Sequence, residues 1–164
     1  MSDVVKPKIL DVTCGTQSMW FVKNNPLALY LDRRNEFFEF SLPGRSPWII
    51  KPNVLCDFTA LPFKNNTFYL VCYDPPHMDS LGKSSWMAKR YGRLFPGWET
   101  EIKGGFDECF RVLKPNGTLI FKWNETDVKL SKVLSLTLEK PLFGHTTNSK
   151  KTTHWITFMK DKHA

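Results

Sequence analysis

Short apolar runs alternate along the chain with polar turns marked by Gly, Pro, Asn and Asp. Residues 8–12 (KILDV), 27–31 (LALYL), 53–56 (NVLC) and 68–73 (FYLVCY) are near-continuous apolar stretches. Runs of this length bounded by turn residues predict buried strands. Each carries an acid at its C-terminal edge, namely Asp11, Asp32, Asp57 and Asp74. Buried apolar strands with polar groups at one end fit a parallel sheet whose site lies at the strand C-termini.

Later in the chain the period lengthens. Ile102, Phe106, Cys109, Phe110 and Leu113 fall at i, i+4, i+7, i+8 and i+11, which predicts a helix over residues 99–113. Gly104 and Gly105 weaken its intrinsic preference. Lys114-Pro115-Asn116-Gly117 predicts a turn. Residues 118–123 (TLIFKW) follow as a strand, 126–134 as a short helix, and 135–140 and 154–159 as further strands. The polar link 146–153 would join an antiparallel hairpin. Residues 18–25 leave room for a short helix or a turn, and 35–52, broken by prolines, read as irregular. The pattern predicts an α/β fold, mostly parallel, with an antiparallel end.

The length of 164 residues and 41% hydrophobic content suit one domain over residues 1–164 with its own core. The apolar runs fall short of the ~20 residues of a membrane helix. Residues 1–8 lack the apolar segment of a secretory signal, so a cytoplasmic protein is expected. Cys14, Cys56, Cys72 and Cys109 lie far apart without a CxxC pair and read as reduced thiols. No metal site is expected, because the histidines lack Cys or acid partners at ligand spacing. Charge is uneven. Residues 1–82 hold 8 Lys+Arg and 8 Asp+Glu, whereas 83–164 hold 15 and 8, so the net +7 belongs to the second half. That asymmetry suits an anionic partner, nucleic acid first, or a basic solvated surface. Residues 77–98 form a long polar and aromatic connection of the kind that acts as a lid, with Lys83, Trp86, Lys89, Arg90, Tyr91, Arg93 and Trp98.

Asp11-Val12-Thr13-Cys14-Gly15-Thr16 resembles the first motif of class I S-adenosylmethionine-dependent methyltransferases, DxGCGTG, with Thr13 and Gln17 in place of the outer glycines. Asp57, followed by Leu61-Pro62-Phe63, resembles the family's D-x-x-x-L-P-F run. Residues 106–117 resemble its E-x-x-R-V-L-K-P-G-G helix and turn, with Asn116 for the first glycine. Asp74-Pro75-Pro76-His77 is similar to the [DNS]-P-P-[YFWH] motif of amino-directed members. The whole pattern is also similar to small phage and prophage methyltransferases. The resemblance implies a doubly wound Rossmann-like sheet with an antiparallel C-terminal hairpin strand. It implies S-adenosylmethionine as cofactor, with Asp11, Thr13, Cys14, Gly15, Asp32, Asp57, Phe58 and Asp74 around it. Asp32 would bond the ribose hydroxyls, Asp57 the adenine amino group, and Phe58 would pack on the ring.

In the same resemblance, Asp74 and the Pro75 carbonyl accept from one NH2 group and localise the nitrogen lone pair. Pro75 and Pro76 stiffen the turn so that both acceptors are pre-positioned. His77 stands where a larger aromatic usually stacks on a flat substrate. Lys83, Trp86, Lys89, Arg90, Tyr91, Lys122 and Asn124 are the candidate substrate contacts. The implied activity is methyl transfer to an exocyclic amino group of a DNA or RNA base. A cytosine-C5 enzyme needs a Pro-Cys nucleophile, and no such pair occurs. The chain leaves no room for a target-recognition domain, so sequence choice would come from the lid, a second subunit or a protein partner. Two alternatives stay open: methylation of a protein amide or a small molecule, and a degenerate pocket in a nucleic-acid-binding protein.

Overall fold

The computed structural model describes residues 7–39, 46–80, 82, 85–147 and 149–161. The four apolar runs form β1 (Ile9–Asp11), β2 (Ala28–Asp32), β5 (Val54–Leu55) and β6 (Phe68–Tyr73). Between β2 and β5 lie β3 (Glu36–Phe38) and β4 (Trp48–Ile50), a small antiparallel sheet of their own. Then come α1 (Trp86–Tyr91), α2 (Trp98–Val112), β7 (Leu113–Asn124), α3 (Leu130–Leu134), β8 (Phe143–Thr147) and β9 (Thr153–Met159).

Among the described residues, seven strands share one sheet in the order β5-β2-β1-β6-β7-β9-β8. The first five in that order run parallel, and β9 and β8 close the edge antiparallel. The chain leaves β1 towards β2 on one side and reaches β6 on the other. The C-terminal ends of β1 and β6 therefore flank the switch point, where parallel sheets hold ligands.

Strand alternation sends Leu10, Val71, Leu119 and Phe158 to one face, where α2 and α3 cover them. Ile102, Phe106, Cys109 and Phe110 fill that core from α2, matching the apolar stripe. Gly105 has a packing reason: a Cβ there would collide with the Tyr73 hydroxyl and the Phe58 ring, so α2 can lie this close only with glycine. On the opposite face Cys14, Ala28 and Tyr30 form a smaller cluster with Ile9 and Trp20, and none of these residues is helical. The β1–β2 crossover is made of turns, because its 16 intervening residues close on one another instead of winding into a helix.

Several sequence expectations change. Residues 35–52 contain a strand pair, not irregular chain alone, since alternate positions of EFF and WII can pair despite the nearby prolines. Residues 135–140 form no strand, and the hairpin partner of β9 is Phe143–Thr147. That strand is mostly exposed, so backbone pairing at an edge decides it and hydrophobicity gives no warning. The expected helix at 126–134 shortens to α3. The turn at 114–117 lies inside β7, where Asn116 adopts φ 62° and donates its N–H to the Lys160 carbonyl while Lys160 N–H donates to the Gly117 carbonyl, beside a register shift against β6. The lid stretch gains the six-residue helix α1.

Lys160 is buried, yet its Nζ donates to the carbonyls of Phe110 and Leu113 at 2.7 and 3.0 Å and to Asn66 Oδ1 at 2.9 Å. A cation at a helix C-terminus satisfies orphan carbonyls and matches the helix dipole. Lys160→Met is expected to cost about 1–3 kcal/mol by stranding those carbonyls. The check is urea unfolding: a lower midpoint at unchanged slope is expected, and an unchanged midpoint contradicts the capping role.

Candidate active site

The turn after β1 is stitched to both neighbouring strands. Val12 N–H donates to the Cys72 carbonyl at 3.0 Å and Cys14 N–H to the Leu31 carbonyl at 2.7 Å. Thr13 Oγ1 accepts the N–H of Asp74 at 2.9 Å. Glycine at position 13 could not do this, so Thr13 joins the turn after β1 to the turn after β6. Gln17, the other departure from the glycine pattern, holds φ 54°, in the left-handed region that favours glycine. Its side-chain amide closes a two-way pair with Asn24, accepting from the backbone N–H at 2.8 Å and donating to Oδ1 at 3.1 Å. The pair holds the loop that replaces a crossover helix.

These turns open on a cavity of about 710 Å³. Thr13, Cys14, Gly15, Asp32 and Phe58 line it together with Asp74, Pro75, Pro76 and His77. Lys89, Arg90 and Tyr91 of α1 line it from the opposite side. The structure therefore brings most of the expected cofactor residues, the whole Asp-Pro-Pro-His turn and three lid residues to one space.

Other expected residues are placed elsewhere. Asp11 is fully buried behind the turn, accepting from Trp20 Nε1 at 2.7 Å and Thr13 N–H at 3.3 Å. Asp57 accepts from its own Thr59 N–H and hydroxyl at 2.9 and 2.8 Å and lies 3.8 Å from Arg33, so its carboxylate is turned to the loop and not to the cavity. Trp86 packs on Trp48 with centroids 5.7 Å apart and does not line the cavity. Lys122 Nζ donates to Asp74 Oδ2 at 2.5 Å, so it contacts the site through Asp74. Asn124 bonds Thr153 Oγ1 and accepts from Thr126 N–H, which makes it a strand-end cap. Lys83 lies outside the described residues.

Arg33, Arg34, Glu36, Phe38 and Phe95 also line the cavity and were not singled out from the sequence. The signal was available for two of them: a basic pair follows a strand-end acid directly. Arg34 is central. Asp32 Oδ1 accepts from its N–H and Nε at 3.0 Å each, and Oδ2 accepts from its Nη2 at 3.2 Å and from Gly15 N–H at 2.9 Å. Arg34 Nη1 donates across to the carbonyls of Lys89 and Arg90 at 3.0 and 3.4 Å.

The lid is held by several contacts. The Arg90 guanidinium sits over Trp48 at 4.4 Å and over Tyr91 at 4.9 Å, a cation–π arrangement. Gly92, at φ 76°, lets the chain pass Pro76, whose ring a Cβ would strike. Leu94 N–H donates to the Met78 carbonyl at 2.8 Å. The loop that carries Asp57 and Phe58 is fixed by Arg111, which donates to the Leu61 and Phe63 carbonyls at 2.9 and 2.7 Å and pairs with Glu108.

Protonation follows from burial. His77 sits with Nδ1 3.3 Å from the Pro75 carbonyl and its ring 5.9 Å from Trp123. Burial pushes the imidazole below the usual histidine range although Asp74 opposes this, which favours the neutral ring near pH 7. Burial likewise pushes the Cys72 thiol up to about 12, so it stays protonated. Among the described residues no His, Cys, Asp and Glu group is arranged to hold a metal ion, and no helix is long and apolar enough to cross a membrane.

No sequence-family profile matches the chain, and no curated protein matches it in sequence. Solved structures do. The PH0226 protein of Pyrococcus horikoshii OT3 matches with a TM-score of 0.60 at 15% identity, over 98% of this chain and 85% of that one. A Leishmania major SAM-dependent methyltransferase of the DUF858 family matches with a TM-score of 0.57 at 15% identity, over 98% and 67%. The [4+2]-cyclase SpnF matches with a TM-score of 0.55 at 13% identity, over 93% and 74%. The chain thus has the class I methyltransferase fold, a fold that also carries a cyclase, and chemistry must be argued from the site.

Asp11 provides a test of the wall behind that site. Burial, with smaller contributions from Asp74 and Asp32, raises its carboxyl to about 7, and the bonds from Trp20 and Thr13 offset only part of this. The folded state then holds a proton that the unfolded chain releases near pH 4, so this group makes stability fall as pH rises from about 4 to about 7 and adds no further loss above that. Asp11→Asn should remove this component. The measure is the wild-type minus variant unfolding free energy across pH 4–8. It is expected to fall with rising pH, and a flat difference contradicts the assignment.

Proposed function

We propose that this chain transfers a methyl group from S-adenosylmethionine to an exocyclic amino group of a nucleic-acid base. The observation that carries the reading is the shared cavity: the small-residue turn after β1, Asp32 and Phe58 face the same space as the Asp74–His77 turn. Its volume of about 710 Å³ falls within the usual range for small-molecule sites, roughly 300–1,000 Å³. The residues present fit a nucleoside-bearing cofactor. Asp32 can accept from a ribose diol once Arg34 leaves it, Phe58 gives an apolar wall, and Thr13 to Gly15 keep side chains small beside the ligand. The fold's SAM-dependent representatives add support by analogy.

When bound, the cofactor supplies an electrophilic sulfonium methyl. The protein's share is orientation and electrostatics. Asp74 keeps Oδ1 for a substrate N–H while Oδ2 is held by Lys122, which fixes the carboxylate and makes Lys122 a positioning residue. The Pro75 carbonyl is the second acceptor, and its neighbour His77 Nδ1 at 3.3 Å sets which way it is shared. Two acceptors on one NH2 group leave the nitrogen lone pair directed at the methyl carbon. Methyl transfer would exchange the S–C bond for an N–C bond, and the acceptor that holds the surplus N–H proton, Asp74 Oδ1 or the Pro75 carbonyl, would pass it to solvent. Tyr91, His77 and Phe38 offer flat or apolar surface for an extruded base, and Lys89, Arg90 and Arg93 suit its phosphates. Single strands would cost less to engage than duplex. The basic second half of the chain also favours a nucleic acid over a protein amide or small molecule.

A second reading is favoured by one observation: every acceptor position of Asp32 is engaged by Arg34 and Gly15. On that reading the pocket is degenerate and the chain binds nucleic acid without catalysis. Calorimetry with S-adenosylmethionine separates the two, since the enzyme reading requires binding.

Asp74→Ala tests the mechanism. Its N–H bond to Thr13 survives the substitution, so the turn should hold. Transfer of labelled methyl to DNA or RNA is expected to fall at least ~100-fold, the scale of losing a preorganised polar group, with cofactor affinity nearly intact. Undiminished turnover removes the mechanism.

A further inference from the structure

We infer that Arg34 is a latch between the cofactor site and the lid: it holds α1 shut only while the Asp32 carboxylate is free of ligand. The inference rests on the proposed cofactor and goes beyond it to the order of events. Three Arg34 donors converge on Asp32, and the same guanidinium reaches the Lys89 and Arg90 carbonyls. A carboxylate offers about four acceptor positions, and with the Gly15 N–H these are taken. A ribose diol can bond Asp32 only by displacing Arg34.

The displacement reaches the lid for a local reason. Helix α1 has six residues, no buried side chain and no side-chain N-cap. A helix this short does not hold itself together in water. Its last-turn carbonyls have no intrahelical donor. Gly92 N–H serves Ala88 at 2.9 Å, and Arg34 serves Lys89 and Arg90. Removing Arg34 from Asp32 removes the anchor that aims it at those carbonyls. Asp32 is 4% exposed and both partners of the pair are largely shielded, so the contact is not one that solvent screens away.

Ligand and lid thereby become linked equilibria. The ligand must overcome the latch to bind, and its binding frees the lid, so the apparent affinity is reduced by the closed fraction. Such a device would keep the substrate opening closed until the methyl donor is in place.

The experiment uses the full chain with S-adenosylhomocysteine as probe, in wild type, Arg34→Ala and Arg34→Lys. Calorimetry gives affinity, and brief trypsin treatment with mass analysis gives the rate of cutting after Lys89, Arg90 and Arg93. In wild type, saturating probe is expected to speed lid cutting several-fold. In Arg34→Ala, cutting should be fast with or without probe, and the probe should bind at least about fivefold tighter. Arg34→Lys keeps the charge but not the planar fork, so it should fold normally and lie between the two. Probe binding that leaves wild-type lid cutting unchanged, or weaker binding in Arg34→Ala, overturns the latch while sparing the cofactor reading. No probe binding by any of the three proteins removes the cofactor reading and the latch with it.

Discussion

The site depends on the hydrogen bond from the Asp74 N–H to Thr13 Oγ1 at 2.9 Å. It joins two turns that are 61 residues apart in sequence and adjacent at the switch point of the sheet. One turn would present the methyl donor and the other the acceptor groups for the amine. A neutral hydrogen bond contributes only about 1 kcal/mol to stability. Its importance is geometric: near-attack alignment is lost when reacting groups shift by about 1 Å. Val12 and Cys14 bond to strands on either side, so the Thr13 hydroxyl is offered from a fixed frame.

Around that junction the charges are arranged in pairs. Asp74 is matched by Lys122 and Asp32 by Arg34, both at or below 3.0 Å, while Asp11 sits behind them fully buried. Two of these acids are paired with cations, and the third has its carboxyl raised by burial. The pairing also differs in what it leaves open: Lys122 engages one oxygen of Asp74, whereas Arg34 and Gly15 engage both oxygens of Asp32. The first is compatible with a poised acceptor, the second with a site that must open.

Strands β1, β2 and β6 and the acids at their C-terminal ends were legible in the sequence because a strand buried in the sheet shows as a continuous apolar run, whereas the buried strand expected at 53–56 is only the two-residue edge strand β5, with Leu55 exposed. Helix α2 was legible because five apolar residues kept helical spacing. The elements that were misread share a physical cause. Phe143–Thr147 pairs at an exposed edge, and Glu36–Phe38 with Trp48–Ile50 pairs outside the main sheet with Ile50 alone of the six residues buried, so neither shows as a continuous apolar run. At the site, Asp32, Asp74 and the turn at 13–15 share one cavity. Asp57 and Asn124 satisfy their own loops, which spacing along a chain cannot reveal. Arg34 was missed because its importance is a tertiary bond to α1, although its position beside Asp32 was visible.

The most direct measurement is a crystal structure of the protein grown with S-adenosylhomocysteine. The account predicts the adenosyl ribose on Asp32, the sulfur facing the Asp74–His77 turn, and the Thr13–Asp74 bond intact. Density for the ligand at another place, or a sulfur turned away from Asp74 across a broken Thr13 contact, would contradict it.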